Sequence, residues 1–192
     1  NVVIRCVIFR TISMRILVAG ATGALGRRLV PILISAGHAV IGLTHTPAKA
    51  DFVRALGADP AVADGLDAKA IRALVTSAKP DVIVHEMTDL KGSMDLRKFD
   101  RAFATSNRLR TEGTDHLLAA ARAAGVQRIV AQSYCGWPYA RTGSPVKSEA
   151  DALDPDPPAE FRRTLDAIRH LERAVTASAS PDGIVLRYGA FY

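Results

Sequence analysis

The sequence predicts one α/β domain built on an open, doubly wound parallel sheet with helices on both faces. Short runs of β-branched and aliphatic residues alternate with segments of helical periodicity from Met14 onward. The strand runs are almost continuously apolar, as a sheet covered on both faces requires. The first strand leads directly into a glycine-rich loop that a helix follows. With 192 residues and 48% apolar content, the chain can bury one sizeable core.

Six strands and five helices alternate along the chain. The strands are short apolar runs at 15–19, 39–43, 61–63, 81–85, 127–132 and 183–187. Apolar residues at helical spacing predict helices over 25–36, 48–56, 67–78, 103–124 and 161–175. Gly57 and Gly125 end two of these helices, because glycine readily takes the left-handed conformation that closes a helix. Right-handed crossovers are expected between successive parallel strands.

The composition excludes several classes of protein. The net charge is +6, but the basic residues are scattered among acids, so we expect no nucleic-acid partner. No run of about 18 uncharged apolar residues is present, so we expect no membrane span. Cys6 and Cys135 are too few for a disulfide scaffold, which favours a cytoplasmic location. No set of His, Cys, Asp and Glu residues has metal-ligand spacing, so we predict no metal.

The folded domain is predicted to span 14–192. The chain does not begin with methionine, and Met14 stands directly before the first strand as a natural start would. Residues 1–13 are therefore interpreted as a leader or upstream segment outside the core. A signal peptide is disfavoured, because Arg5 and Arg10 interrupt the apolar run and no small-residue cleavage site follows.

The glycine-rich loop is the clearest functional motif. It has the spacing G-x-x-G-x-x-G at Gly20, Gly23 and Gly26, between a strand and a helix. The first glycine permits the tight turn, the second lets a pyrophosphate approach the backbone, and the third lets the helix pack close to the strand. Free amides and the dipole at the helix start then favour an anion. The loop predicts a Rossmann-like dinucleotide site, with Thr22, Ala24 and Leu25 also in contact.

The end of the second strand favours NADP over NAD. A carboxylate there would bind the ribose hydroxyls of NAD, but the strand ends in Thr44, His45 and Thr46. The whole segment 14–50 contains no Asp or Glu, although it contains Arg15, Arg27, Arg28 and Lys49. A 2′-phosphate would meet no repulsive charge and could accept hydrogen bonds from Thr44, His45 and Thr46. Alternatively, the basic residues only form a solvated face, and either dinucleotide binds.

A long proline-rich segment follows the fifth strand. Residues 134–160 include five prolines and leave from the carboxyl edge of the sheet, where ligands bind in open α/β folds. A connection of this length often serves as a lid. Trp137, Tyr134 and Tyr139 would then cover a nicotinamide or an apolar substrate, and the two tyrosines are candidate proton donors. An ordinary ordered surface loop is the alternative interpretation.

Taken together, these stretches resemble the extended and atypical short-chain dehydrogenases/reductases, which include the NAD-dependent epimerase/dehydratase group. The resemblance is carried by the loop 20–26, the run Asp64-Gly-Leu-Asp67, the strand 81–85, and the segments 112–133 and 186–192. It implies that Asp64, Gly65 and Leu66 lie near the adenine. It further implies catalytic and cofactor contacts around the carboxyl ends of strands four to six. These are Ser133 as the active-site serine, His85 and 86–88 (with Met87 and Thr88) along the groove, and Arg187, Tyr188 and Gly189 near the nicotinamide.

Two features depart from that family. Its Tyr-x-x-x-Lys pair is absent, since no tyrosine has a lysine four residues later, and the expected positions hold Thr164 and Ile168. The chain also ends just after the sixth strand and lacks most of the usual C-terminal substrate lobe, so it is either a fragment or a shortened member.

The family resemblance implies an NAD(P)-dependent oxidoreductase or epimerase-type protein. Its substrate would be an unidentified alcohol or carbonyl compound, with a sugar nucleotide as one candidate. Loss of the Tyr/Lys pair favours the alternative, a non-catalytic NADP(H)-binding redox sensor or regulatory module. Helices like 103–124 and 161–175 commonly pair subunits in this family, so a homodimer is also an expectation.

Overall fold

The computed structural model describes residues 12–90 and 98–189. Most of the predicted leader, at 1–11, and the last predicted segment, at 190–192, lie outside the described residues. The described part contains one sheet of six parallel strands in the order β3-β2-β1-β4-β5-β6. The strands are β1 (Arg15–Ala19), β2 (Ala39–Thr44), β3 (Asp59–Val62), β4 (Val82–His85), β5 (Arg128–Tyr134) and β6 (Asp182–Tyr188). The predicted Rossmann-like fold class is confirmed.

The helices connect these strands in sequence order. They are α1 (Gly26–Ser35), α2 (Ala50–Ala55), α3 (Ala68–Ala78), α4 (Phe99–Ala102), α5 (Ala104–Arg108), α6 (Thr114–Ala124) and α7 (Arg162–Thr176), with a π-helical segment at Leu109–Gly113 and short 3₁₀ turns at Pro47–Lys49 and Ala159–Phe161. Asp67 begins α3 because its carboxylate accepts hydrogen bonds from the amides of Lys69 and Ala70, and Gly125 ends α6 at φ +70°. No helix in the described ranges is long and apolar enough to span a membrane.

Two apolar layers cover the sheet. On one face, α1 and α2 bury Val30 and Val53 against alternate residues of β1, β2 and β4. On the other face, α3, α6 and α7 bury Ile71, Leu117 and Leu171 against the remaining strand residues. This alternation follows from the two-residue period of a strand, which sends neighbouring side chains to opposite faces.

The strand order creates a crevice beside β1. The chain first runs from β1 outward to β3, and then crosses to β4 on the other side of β1. The loops that follow β1 and β4 therefore diverge at the carboxyl edge of the sheet. Ligands of open α/β sheets bind at this kind of switch point, and the glycine-rich loop lies there.

The helix predicted over 103–124 is not one regular α-helix. Helical structure begins at Phe99, and Leu109–Gly113 forms a π segment between α5 and α6. Phe99 is buried and stacks on Phe103 and Phe161, which extends the helical region toward the N-terminus beyond the prediction. The π segment ends at Gly113, which lies against Met87 and the carbonyl of Gly65, so the irregular turn is where this helix approaches the crevice.

Candidate dinucleotide-binding site

The glycine loop is packed too tightly for side chains at its first and third glycines. Gly20 has φ +102°, and a Cβ there would lie 2.7 Å from the carbonyl oxygen of Glu86. A Cβ at Gly26 would lie 2.3 Å from the carbonyl oxygen of Gly20. Gly23 is different, because it is exposed and its Cβ would meet only the Gly20 oxygen, at 3.2 Å. As far as residues 12–90 and 98–189 are concerned, the space above Gly23 is therefore open to a ligand.

Several backbone amides in this loop have no acceptor among the described residues. The amides of Gly20 and Ala21 donate to Leu43, and the Gly23 amide donates to Gly20. Within the described residues, the amides of Thr22, Ala24 and Leu25 donate to no protein group. They precede the first turn of α1, where the helix dipole adds partial positive charge. The loop thus offers unsatisfied donors and a favourable field to an anion such as a pyrophosphate.

The end of β2 presents two of the three side chains predicted to bind a 2′-phosphate. His45 is exposed and Thr46 is half-buried, with the Thr46 hydroxyl 3.2 Å from Nδ1 of His45. Thr44 is buried, and its hydroxyl accepts a hydrogen bond from the Thr46 amide. Thr44 therefore holds the turn, while His45 and Thr46 are the residues accessible to a phosphate.

The segment after β3 lies between β2 and the π segment. The Asp64 carboxylate accepts a hydrogen bond from the Leu66 amide at 2.9 Å, which orders the turn. Gly65 is buried, and a Cβ there would lie 2.6 Å from Sδ of Met87. Met87 is itself buried and thus joins the turn after β3 to the end of β4. Thr88, the next residue along the groove, is exposed.

His85 is a buried neutral residue. Its side chain is 1% exposed, its Nδ1 accepts a hydrogen bond from the Met87 amide, and its Nε2 therefore carries the proton directed at the Thr114 hydroxyl. Burial, with a smaller effect of the Arg110 charge, lowers the pKa of His85 to about 4. The imidazole is turned toward α6 and away from the groove, so only the backbone of His85 can contact a ligand there.

The buried carboxyl group of Glu86 is the least expected feature of this edge of the sheet. It is 6% exposed, and its Oε2 atom has no hydrogen-bond partner among residues 12–90 and 98–189. Burial raises the pKa of this carboxyl to about 7. Sequence reasoning placed 86–88 along the groove but assigned Glu86 no role. The available signal was an acidic residue immediately after an apolar strand.

The Ser133 side chain is buried, and its hydroxyl takes part in a network of hydrogen bonds between polar side chains. Its hydroxyl donates to Oε1 of Glu172 at 2.6 Å. The same carboxylate binds the Arg187 guanidinium through two hydrogen bonds of 2.8 and 2.7 Å. Arg187 also donates to the Tyr139 hydroxyl at 3.0 Å. Two predicted catalytic residues, Ser133 and Tyr139, are thus linked through Glu172 and Arg187, of which Glu172 was not predicted.

Tyr134 and Tyr188 form a cross-strand pair at the carboxyl ends of β5 and β6. Both side chains lie on the sheet face opposite Ser133, because strand residues alternate. Burial and the charge of Glu86 raise the pKa of Tyr188. Gly189, the last described residue, is exposed beside this pair. Among the predicted catalytic residues, Tyr134 therefore lies on the same side as Glu86, while Ser133 and Tyr139 do not.

The segment 135–158 is ordered by aromatic and polar contacts. Trp137 packs against Phe99 and Phe161, with ring centroids 5.5 and 5.1 Å away. The Ala140 amide donates to the Ala152 carbonyl, and Tyr139 pairs with Leu153 in an antiparallel bridge. The predicted lid aromatics Trp137 and Tyr139 thus anchor the segment to the rest of the fold.

The helix positions of the missing Tyr-x-x-x-Lys pair are filled by structural contacts. Thr164 is 1% exposed, and its hydroxyl donates to Asp100 at 2.7 Å. Ile168 is also 1% exposed and lies in the α7 core face. Glu172 follows one turn later on the same side of α7. Thr164 has no phenol to donate a proton, and the uncharged, buried Ile168 cannot lower the pKa of a phenol as a lysine would.

The geometry matches a known family of nucleotide-binding proteins. The profile of the NAD(P)H-binding family matches residues 20–191. The chain belongs to this family. The predicted resemblance to the epimerase/dehydratase branch of the short-chain dehydrogenases/reductases is also confirmed by the relatives and solved structures that it matches.

Two curated relatives and one solved structure illustrate the family's range. A 3-diazoavenalumate denitrifying reductase from a Streptomyces species is 46% identical over 185 residues, which cover 93% of this chain and 57% of that protein. A UDP-glucose 4-epimerase from Mycolicibacterium smegmatis is 34% identical over 157 residues, 76% of this chain and 46% of that protein. The UDP-Glc/GlcNAc 4-epimerase from Campylobacter jejuni has the same fold, with a TM-score of 0.73 and 20% identity over 92% of this chain and 53% of its own. The chain thus spans about half the length of the relatives it matches.

Proposed function

We propose that this chain forms the dinucleotide-binding part of an NAD(P)H-dependent reductase that prefers NADP(H). The unsatisfied amides of Thr22, Ala24 and Leu25 above an open Gly23 carry the proposal. The accessible His45 and Thr46, with no acidic residue in 14–50, support a 2′-phosphate at the end of β2. When bound, the dinucleotide would supply a hydride to the substrate.

The residues of this chain would bind and orient the dinucleotide. The loop amides would hold its pyrophosphate, and the turn at Asp64, Gly65 and Leu66 would border its adenine. The backbone after β4, from His85 to Thr88, would border the opposite half. The buried Met87 packs against Gly65, so these two walls of the groove support each other.

The reaction we favour is the removal of a diazo group. The relative with 46% identity is named a denitrifying reductase of a diazo compound. In such a reaction a hydride forms a bond to the carbon that bears the diazo group, the C–N bond breaks and both nitrogens leave together as N₂, and one proton neutralises the negative charge left on the substrate. No alkoxide forms at the reacting carbon, so a lysine-tuned tyrosine is not needed to protonate one. The presence of Thr164 and Ile168 at the Tyr/Lys positions is compatible with this chemistry.

A non-catalytic NADP(H)-binding sensor is the second candidate. The replacement of the Tyr/Lys pair by Thr164 and Ile168 also favours this candidate, because it leaves the site without the family's proton donor. Ser133 is also engaged by Glu172, which restrains it from binding a substrate oxygen. The two candidates differ in turnover and agree on dinucleotide binding.

One experiment in two steps tests the proposal. The protein is first titrated with NADPH and with NADH, and we expect NADPH to bind at least about tenfold more tightly, a difference of roughly 1.4 kcal/mol. NADPH oxidation is then followed with a hydroxyaryl diazo acid carrying nitrogen-15 in both diazo positions, and in parallel with a panel of ketones and aldehydes. Release of doubly labelled N₂ supports the reductase, and binding without turnover of either panel supports the sensor. A tenfold preference for NADH would refute the phosphate site.

A further inference from the structure

Glu86 lies at the center of the carboxyl edge of the sheet. It follows β4 directly, and its carbonyl oxygen lies 2.7 Å from the place where a Cβ on Gly20 would be. It therefore contacts the first glycine of the loop that faces the crevice between β1 and β4. The other polar side chains buried near this edge are partnered, since His85 binds Thr114 and Ser133 binds Glu172. Oε2 of Glu86 is the exception among the described residues.

The side chain of Glu86 is on the face away from α6 and α7. His85 points toward Thr114 on α6, and the alternation of strand residues sends Glu86 to the opposite face. The strand registers bring Glu86 toward the end of β6, because His85 pairs with Ala131 on β5 and Ala131 pairs with Val185 on β6, and the charge of Glu86 raises the pKa of Tyr188 there. The titratable neighbours are thus Tyr188 from β6 and the neutral His85 from β4, and the glycine loop at 20–26 contributes none. Arg187, also on β6, lies on the opposite face and binds Glu172, so among the described residues of these elements no positive charge compensates the Glu86 carboxylate.

An uncompensated buried carboxylate is unfavourable, and the group protonates instead. A fold that needs only to fill space here could use an apolar residue of similar size. In a Rossmann-like fold the two halves of a dinucleotide lie over the two halves of the sheet, with the adenosine half over β1–β3. The nicotinamide half then lies over β4–β6, the side on which Glu86 and Tyr188 are found. Oxidised nicotinamide carries a positive ring charge, and reduced nicotinamide carries none.

We propose that Glu86 is the counter-charge for the oxidised nicotinamide ring. Its carboxyl releases a proton when NADP⁺ binds and keeps the proton when NADPH binds. This inference rests on the proposed dinucleotide site and adds a charge-selective residue to it. The proton leaves to solvent on binding, so the coupling is between ligand charge and pH and needs no substrate.

The ratio of the NADP⁺ and NADPH dissociation constants, measured from pH 6 to pH 8, tests the proposal. The two ligands share their phosphates, so titration of the phosphates cancels in the ratio. Because the pKa of Glu86 is raised to about 7, we expect NADP⁺ to gain about tenfold in affinity over NADPH across this range. Glu86→Gln keeps the shape and removes the titration, so its ratio should be independent of pH. Glu160→Gln, an exposed glutamate in the turn Ala159–Phe161, is the matched control and should behave as wild type.

A second measurement on the wild-type protein does not depend on the variant's folding. Calorimetric titration at pH 6.5, in two buffers of different protonation enthalpy, should show about 0.8 proton more released per NADP⁺ than per NADPH, because the phosphates contribute equally to both. A pH-independent ratio, or the same pH dependence in Glu86→Gln, would overturn the counter-charge while leaving the dinucleotide site intact. Failure of both dinucleotides to bind at any pH would overturn the proposed function and this inference together.

Discussion

His85 and Glu86 are consecutive buried residues. Burial suppresses the ionisation of both, and it shifts their pKa values in opposite directions. Burial lowers the pKa of His85 from 6.5 to about 4, and it raises the pKa of Glu86 from 4.5 to about 7. In the unfolded chain both groups regain their ordinary values. Acidification therefore destabilises the native state through His85, because the unfolded state binds the proton more readily. It stabilises the native state through Glu86, because the folded state holds that proton more tightly.

The two contributions should nearly cancel between pH 4.5 and pH 6.5, and single variants should separate them. In Glu86→Gln, the free energy of unfolding should fall by about 3 kcal/mol as the pH decreases from 6.5 to 4, through His85 alone. In His85→Gln, it should fall by about 3 kcal/mol as the pH increases from 4.5 to 7, through Glu86 alone. Urea unfolding at several pH values measures both slopes. Parallel slopes in the two variants would contradict the assignment.

The residues of the glycine loop could be predicted individually, but the buried polar partners could not. The spacing of Gly20, Gly23 and Gly26 reports a backbone requirement that is local in sequence. The contact between Ser133 and Glu172 joins residues 39 positions apart, and nothing in the sequence around either residue predicts it. That Oε2 of Glu86 has no hydrogen-bond partner among the described residues could not be predicted either. A sequence shows which groups are polar, but it does not show which of them the fold brings together.

At the scale of elements, the strands were predicted closely and one helical region was not. All six strands agree with the prediction within two residues at each end, because apolar runs in a sheet buried on both faces are nearly continuous. Between Phe103 and Leu117 the sequence is mostly polar, with Leu109 its one large apolar residue, so no apolar periodicity there could reveal a π segment. The irregular turn is set by tertiary contacts of Gly113 with Met87 and Gly65, which lie elsewhere in the chain.

One ion pair joins three elements and the long connection. Glu172 on α7 binds Ser133 on β5 and Arg187 on β6, and Arg187 reaches Tyr139 in the segment 135–158. The Arg187 and Glu172 side chains are 19% and 13% exposed, so water screens the pair only partly. Removal of one partner therefore leaves the other charge partly buried and without compensation.

Glu172→Gln should lower the free energy of unfolding by about 2 to 3 kcal/mol, because the partly buried Arg187 loses its charged partner. The double variant Glu172→Gln/Arg187→Met should lose less than the sum of the single variants, which a double-mutant cycle by urea unfolding measures. Arg108 and Glu112 form an exposed pair with equally short contacts, and Glu112→Gln should cost no more than about 0.5 kcal/mol. Equal losses at the two sites would show that burial does not decide the strength of these pairs.

At the scale of the whole molecule, the two halves of the sheet are covered unequally. Helices α1 and α2 cover one face of β1–β3, while Ile184 and Leu186 on the same face of β6 are 37% and 41% exposed. The opposite face is covered throughout by α3, α6 and α7. The glycine loop lies between α1 and the crevice, so a ligand bound there would contact the well-covered half and the ends of β4–β6 together.

Dinucleotide binding should therefore stabilise the molecule as one unit. NADPH at 100 times its Kd should add about 2.7 kcal/mol to the free energy of unfolding, which corresponds to a rise in Tm of about 5 to 11 °C for a domain of this size. Gly23→Val should abolish the rise, because its side chain extends into the space over the loop, where a Cβ would meet only the Gly20 oxygen among the described residues. Ala36→Val places the same side chain at the exposed far end of α1 and should keep the full shift. Thermal unfolding followed by circular dichroism measures all three proteins, and a full NADPH shift in Gly23→Val would place the dinucleotide elsewhere.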